Sequence, residues 1–172
     1  PVVAANVYGN IDAILNPANG VGASKSTAYV NGIAQLKAGG VGVYGYVYTS
    51  YGVRPLATVK AEIDNWQLWY GVAGIFLDET GNSQLAYYTD LYSYINAKGM
   101  KVILNPGTSI PEAYVPIMDS ATIYENTASV AFNPPAWVAN YPASKFGALQ
   151  YGASQAQMQA FVTLAKSKNI GY

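Results

Sequence analysis

Few residues in this sequence are equipped for acid–base chemistry. Its 172 residues include no His and no Cys, and only nine carry a carboxylate. Ser-His-Asp and Cys-His catalysis, thiolate chemistry, disulfides and zinc sites with N and S ligands are therefore excluded. Proton transfer falls to Asp, Glu, Lys or Tyr. The acids are Asp12, Glu62, Asp64, Asp78, Glu79, Asp90, Glu112, Asp119 and Glu125. Two runs stand out. Gly74-Ile75-Phe76-Leu77-Asp78-Glu79-Thr80 closes an apolar segment with adjacent carboxylates, and Ala121-Thr122-Ile123-Tyr124-Glu125-Asn126 closes another with one. Carboxylates against apolar strands lose hydration, and neighbouring like charges repel, so one of a pair is driven toward protonation. Glycosidic cleavage needs two carboxyl groups in different protonation states. Asp78, Glu79 and Glu125 are the candidate catalytic residues. Capping the following helix or pairing with surface loops is the competing role for each.

The other six acids carry less chemistry. Glu62, Asp64 and Asp90 fall inside helical stretches, where a solvated position is expected. Asp12 and Asp119 stand at strand starts, the stability face of a barrel. Glu112 follows Pro111 at the start of a short helix, where its charge suits the dipole. Asn16, Asn105, Asn126 and Gln150 sit near strand ends, placed to hydrogen-bond sugar hydroxyls. Tyr46, Tyr48 and Tyr51 offer flat faces for sugar rings, with Arg54 available to pair with a carboxylate or a sugar. Core packing is the competing role for Tyr44, Tyr46 and Tyr48, which share one strand face. No metal cluster is evident and no cofactor is required.

The elements that must position these groups alternate short β-branched runs with longer helical ones, as in a parallel α/β sheet. Strands are predicted at 11–16, 41–48, 74–78, 101–105, 121–125, 146–151 and 170–172. Helices are predicted at 24–38, 56–70, 84–98, 111–117 and 154–168. In the third, Leu85, Tyr88, Leu91, Tyr92 and Ile95 fall on one face. Gly39-Gly40 and Gly99 end helices where a terminal glycine is expected. Ile14-Leu15-Asn16-Pro17 recurs as Ile103-Leu104-Asn105-Pro106, each a strand leaving its ladder at proline. No linker interrupts the series, so residues 1–172 read as one domain. Residues 1–9 read as the tail of a preceding helix or a displaced strand. The expected fold is an α/β TIM-like (β/α)8 barrel, incomplete in its first strand; a flavodoxin-like sheet is the alternative.

Nine basic and nine acidic residues give zero net charge with scattered Lys, so no phosphate backbone is attracted and nucleic acid is not an expected partner. No run of 18 apolar residues suggests a membrane span. An incomplete barrel leaves strand edges unpaired, which invites self-association.

Several segments together resemble spherulin-4-like proteins. Ile14-Leu15-Asn16-Pro17-Ala18-Asn19-Gly20-Val21-Gly22 is similar to their Asn-Pro turn, and Gly45-Tyr46-Val47-Tyr48-Thr49-Ser50-Tyr51-Gly52-Val53-Arg54 to their Gly-Tyr-Val run. Gly74 to Glu79, Leu104-Asn105-Pro106-Gly107-Thr108 and Tyr124-Glu125-Asn126 follow in the family's order. The resemblance implies a secreted or cell-surface (β/α)8 glycoside hydrolase. It would be endo-acting on α-1,4-linked galactosaminogalactan, a polysaccharide of galactose and N-acetylgalactosamine, with its acids at Asp78, Glu79 and Glu125. The chain departs from the pattern in lacking the family's aromatic-rich first strand before the Asn-Pro turn. In this reading Asp78 is nucleophile or charge stabiliser, Glu125 general acid/base, and Glu79 orients a sugar or tunes the pKa of Asp78; a non-catalytic carbohydrate-binding or coat protein on the same barrel is the alternative. The exchange of Asp78 and Glu79 stays open, because adjacent strand residues face opposite sides.

Overall fold

The computed structural model describes residues 11–172; the opening segment 1–9, with its expected helix tail or displaced strand, lies outside them. Six strands form one sheet in the order β1-β2-β3-β4-β5-β6, every neighbouring pair parallel. They are β1 Asp12–Leu15, β2 Gly42–Tyr48, β3 Gly74–Asp78, β4 Lys101–Asn105, β5 Ser120–Thr127 and β6 Phe146–Tyr151. Three α-helices connect the first four strands, α1 Thr27–Ala38, α2 Leu56–Tyr70 and α3 Leu85–Asn96; short 3-10 turns link β4 to β5 and β5 to β6, and α4 Gln155–Ser167 follows β6. Among the described residues no helix is long and apolar enough to cross a membrane.

Alternation divides each strand between two environments. Ile75 and Leu77 of β3, Val102 and Leu104 of β4, and Val43 and Val47 of β2 are fully buried with Ile63 and Trp66 of α2 and Leu91 and Ile95 of α3. Gly45 lies on this side because Trp66 fills the space of a side chain: a Cβ there would stand 2.4 Å from the indole. The opposite, concave face carries Tyr44, Phe76, Ile103, Thr122 and, at the strands' carboxyl ends, the candidate site.

The expected eight-stranded barrel is not formed; the described residues make a six-stranded half-barrel. Edge strands β1 and β6 do not pair with each other. As a result Ile14 and Leu149 on the concave face stay 45% and 49% exposed, where closure would bury them. They line an open trough of about 270 Å³ together with Phe76 and Ile103. A closed barrel with a side-chain-filled interior takes about eight strands. The sequential strand order also excludes the flavodoxin-like alternative, whose second strand lies at the edge.

Two smaller expectations change. Residues 111–117 make a 3-10 turn, Glu112–Ile117, because Pro116 inside it has no amide to give a helix. Residues 170–172 do not form a full strand, although Gly171 and Tyr172 donate backbone amides to Phe146 O and Ala148 donates to Tyr172 O. The polypeptide thus begins to line up beside β6.

Candidate active site

The carboxyl ends of β3, β4 and β5 meet in a hollow of about 380 Å³ lined by Tyr51, Asp78, Glu79, Asn105, Pro106, Gly107, Glu125 and Tyr151. Three of the nine carboxylates converge there, and each arrives by a different device. Asp78 is the last residue of β3 and shares the concave face with Phe76 by simple alternation.

Glu79 would point to the opposite face if the strand continued. Instead its backbone is left-handed, φ 52°. The turn aims its side chain into the same hollow and leaves its carbonyl to accept from Tyr51 N (2.8 Å) and Thr49 Oγ1 (2.8 Å). A non-glycine residue in that conformation costs about 1–3 kcal/mol and is retained where surrounding contacts enforce it.

Glu125 depends on a β-bulge. Thr122 pairs with Gly147 and Glu125 with Leu149, so three steps on β5 match two on β6. The extra residue turns Glu125 onto the concave face with Thr122, which an odd spacing would otherwise forbid. Tyr124 is sent the other way, into a cluster with Phe132 and Phe161.

Asn105 joins the acids. In register with Asp78, it is 8% exposed, and its Nδ2 donates to Asp78 Oδ1 at 2.8 Å and Glu125 Oε2 at 3.3 Å. Because one nitrogen touches both, these two oxygens lie no more than about 6 Å apart, so both carboxylates can reach the same glycosidic bond. Tyr46 holds Asp78 from beneath: its hydroxyl donates to Oδ2 at 2.5 Å while its ring stacks on Phe76. Burial, reinforced by that hydrogen bond and the nearby carboxylates, raises the Tyr46 phenol well above its usual range, so it remains a donor.

The remaining sequence candidates separate clearly. Tyr51 lines the hollow at 60% exposure. Asn16 does not reach it; its Oδ1 accepts from Gly20 N and shapes the loop after β1. Asn126 and Gln150 are paired neighbours on β5 and β6, one residue beyond Glu125 and Leu149, and so face away from the hollow. Gln150 lines a separate depression beside α4. Arg54 and Tyr48 form a structural clamp: the guanidinium lies 4.1 Å from the Tyr48 ring centroid, donates to Tyr48 O and pairs with Glu62 at 2.6 Å. Glu62 is thus buried, not solvated, and also accepts from Val21 N. Asp64 and Asp90 are ion-paired to Lys98 and Lys60 on the outer helices. Tyr151 is a lining residue that the sequence reading passed over. Alternation from Leu149 was the available signal. Among the described residues no group of three or more acids, His or Cys is arranged to hold a metal.

The model of spherulation-specific family 4 matches residues 2–171. The chain belongs to that family. It is 35% identical to spherulin-4 of Physarum polycephalum over 174 residues, which cover 92% of this chain and 52% of spherulin-4. It therefore spans about half the length of that curated relative. Among solved structures it resembles Aspergillus clavatus Sph3 in complex with GalNAc, with a TM-score of 0.70 and 24% identity over 94% of this chain and 75% of Sph3. At that identity the likeness concerns the fold.

Proposed function

We propose that this chain is a secreted or cell-surface glycoside hydrolase that cuts an amino-sugar polysaccharide of the galactosaminogalactan type at α-1,4 linkages. The observation that carries the reading is Asn105, whose single amide nitrogen ties Asp78 and Glu125 into one pair. With the two carboxylates tied this closely, the route proposed is the retaining one, through a covalent intermediate. Asp78, oriented by Tyr46 and Asn105, is the nucleophile; Glu125 is the acid that protonates the leaving oxygen and then the base that activates water. Glu79 orients the sugar. The lining holds three carboxylates and no basic side chain, which suits neutral or amino sugars and disfavours uronic acids. The GalNAc bound to Sph3 supports the same substrate class.

The test is release of reducing ends from galactosaminogalactan by the wild type and by Asp78→Asn and Glu125→Gln. Both variants should lose at least about a hundredfold in rate while melting within a few degrees of the wild type. The first product seen by NMR should keep the α configuration. Equal turnover in wild type and both variants would remove these residues from the reaction, and an inverted product would rule out the nucleophile role.

A further inference from the structure

Two exposed tyrosines flank the carboxylates in a way that two-carboxylate chemistry does not require. Across the carboxyl ends of the sheet the order is Tyr51 after β2, Asp78 and Glu79 on β3, Asn105 on β4, Glu125 on β5 and Tyr151 ending β6. Tyr51 is 60% and Tyr151 55% exposed, yet both line the same hollow. Large aromatic rings left in water at opposite sides of a polar cleft forgo burial that packing elsewhere would give them. Ser50 and Tyr51, which carry the first ring, are consecutive left-handed residues, φ 47° and 54°. The Tyr51 amide is tied to the carbonyl of left-handed Glu79. Backbone strain of this kind on both sides of one hydrogen bond couples the position of the ring to that of a site carboxylate. The strands carrying the two rings are four spacings apart, roughly 19 Å measured along the sheet and less across its curve. That span accommodates a run of sugar units.

We infer that Tyr51 and Tyr151 are paired aromatic platforms, one on each side of the carboxylates, each stacking on a sugar unit beyond the one held by the carboxylates themselves. The inference rests on the carbohydrate reading of the site but not on turnover, because a platform binds sugar whether or not the bond is cut.

The experiment is equilibrium titration of the Glu125→Gln protein with α-1,4-linked N-acetylgalactosamine oligomers of increasing length. The same titration is made with Tyr51→Ala, Tyr51→Phe, Tyr151→Ala and Tyr151→Phe added in turn. Affinity should rise with length in the parent. Each Ala change should weaken binding of the longest oligomers about tenfold, the equivalent of ~1.4 kcal/mol, leave the shortest ligand nearly unaffected, and be restored by Phe. Ala variants that bind long oligomers as tightly as the parent, or that lose affinity equally at every length, overturn the platforms. Binding with the expected length dependence, but no reducing ends from wild type, keeps the platforms and removes the hydrolase. Cleavage with unaffected Ala variants does the reverse. No binding at any length removes both.

Discussion

Replacing Arg54 with Met should unlock the loops around the site from a position outside the hollow's lining. Arg54 Nη2 lies 2.6 Å from Glu62 Oε2, with only 15% and 10% of the two side chains exposed, and Nη1 donates to Tyr48 O at 2.9 Å. The other oxygen of Glu62 accepts from Val21 N at 3.0 Å. One ion pair therefore fastens the end of β2, helix α2 and the loop after β1. Removing the cation leaves Glu62 enclosed without a counter-charge, a loss of about 3–5 kcal/mol for a buried pair broken on one side. For a chain of this size, each kcal/mol moves Tm by about 2–4 °C, so the midpoint should fall by roughly 6–20 °C. Circular-dichroism melts at neutral pH measure it. Adding Glu62→Gln should recover most of the loss, because the amide oxygen still accepts from Val21 N and no charge is left unpaired. Assayed well below its midpoint, Arg54→Met should show near wild-type KM for the polysaccharide. A fall of less than about 1 kcal/mol, the scale of an exposed pair, would refute the clamp. So would a double variant no more stable than the single one. A raised KM at unchanged stability would return Arg54 to the sugar site.

Gly45→Ala should destabilise by about 1–3 kcal/mol through overpacking, since its Cβ would enter the fully buried Trp66 ring; a denaturant midpoint equal to wild type would contradict this. Tyr46→Phe should lower kcat about 10–100-fold, the equivalent of a charge-assisted hydrogen bond of about 1.5–3 kcal/mol, without removing an alkaline limb from the pH–rate profile, because this phenol keeps its proton throughout the working range. The alkaline limb of stability should belong partly to Tyr44, whose pKa is pushed up to about 12 by burial and then by the charges of Asp12 and Asp119. The folded chain keeps a proton that the unfolded chain loses near pH 10. Stability is therefore full below about pH 10 and declines as pH rises through about 12. Urea midpoints across that window should fall, and Tyr44→Phe should flatten the slope.

Much of this molecule was written locally. The helix predicted at 56–70 is found at Leu56–Tyr70, and the strands predicted at 74–78, 101–105 and 146–151 are found at those residues. Their signals, apolar periodicity and flanking Gly or Pro, act over a few residues and need no partner. The acids at the ends of β3 and β5 were legible for the same reason: with no His or Cys to compete, residue type and position in a strand narrowed nine carboxylates to three.

Which way those acids point was decided elsewhere. Glu79 faces the cleft through a left-handed backbone fixed by Thr49 and Tyr51, and Glu125 through a bulge measurable only against β6. The same bulge turns Asn126 away from the hollow, and plain alternation after Leu149 does the same for its partner Gln150. Arg54 takes the carboxylate of its two expected partners, and Glu62, expected to be solvated, is that carboxylate, enclosed across a turn from it. Closure of the sheet is of the same kind. Most strands and helices can be read along the chain, but the number of strands in the sheet, side-chain facing, ion-pair choice and the pairing of β1 with a neighbour depend on groups far apart in sequence. Their energies exist only once the chain has folded.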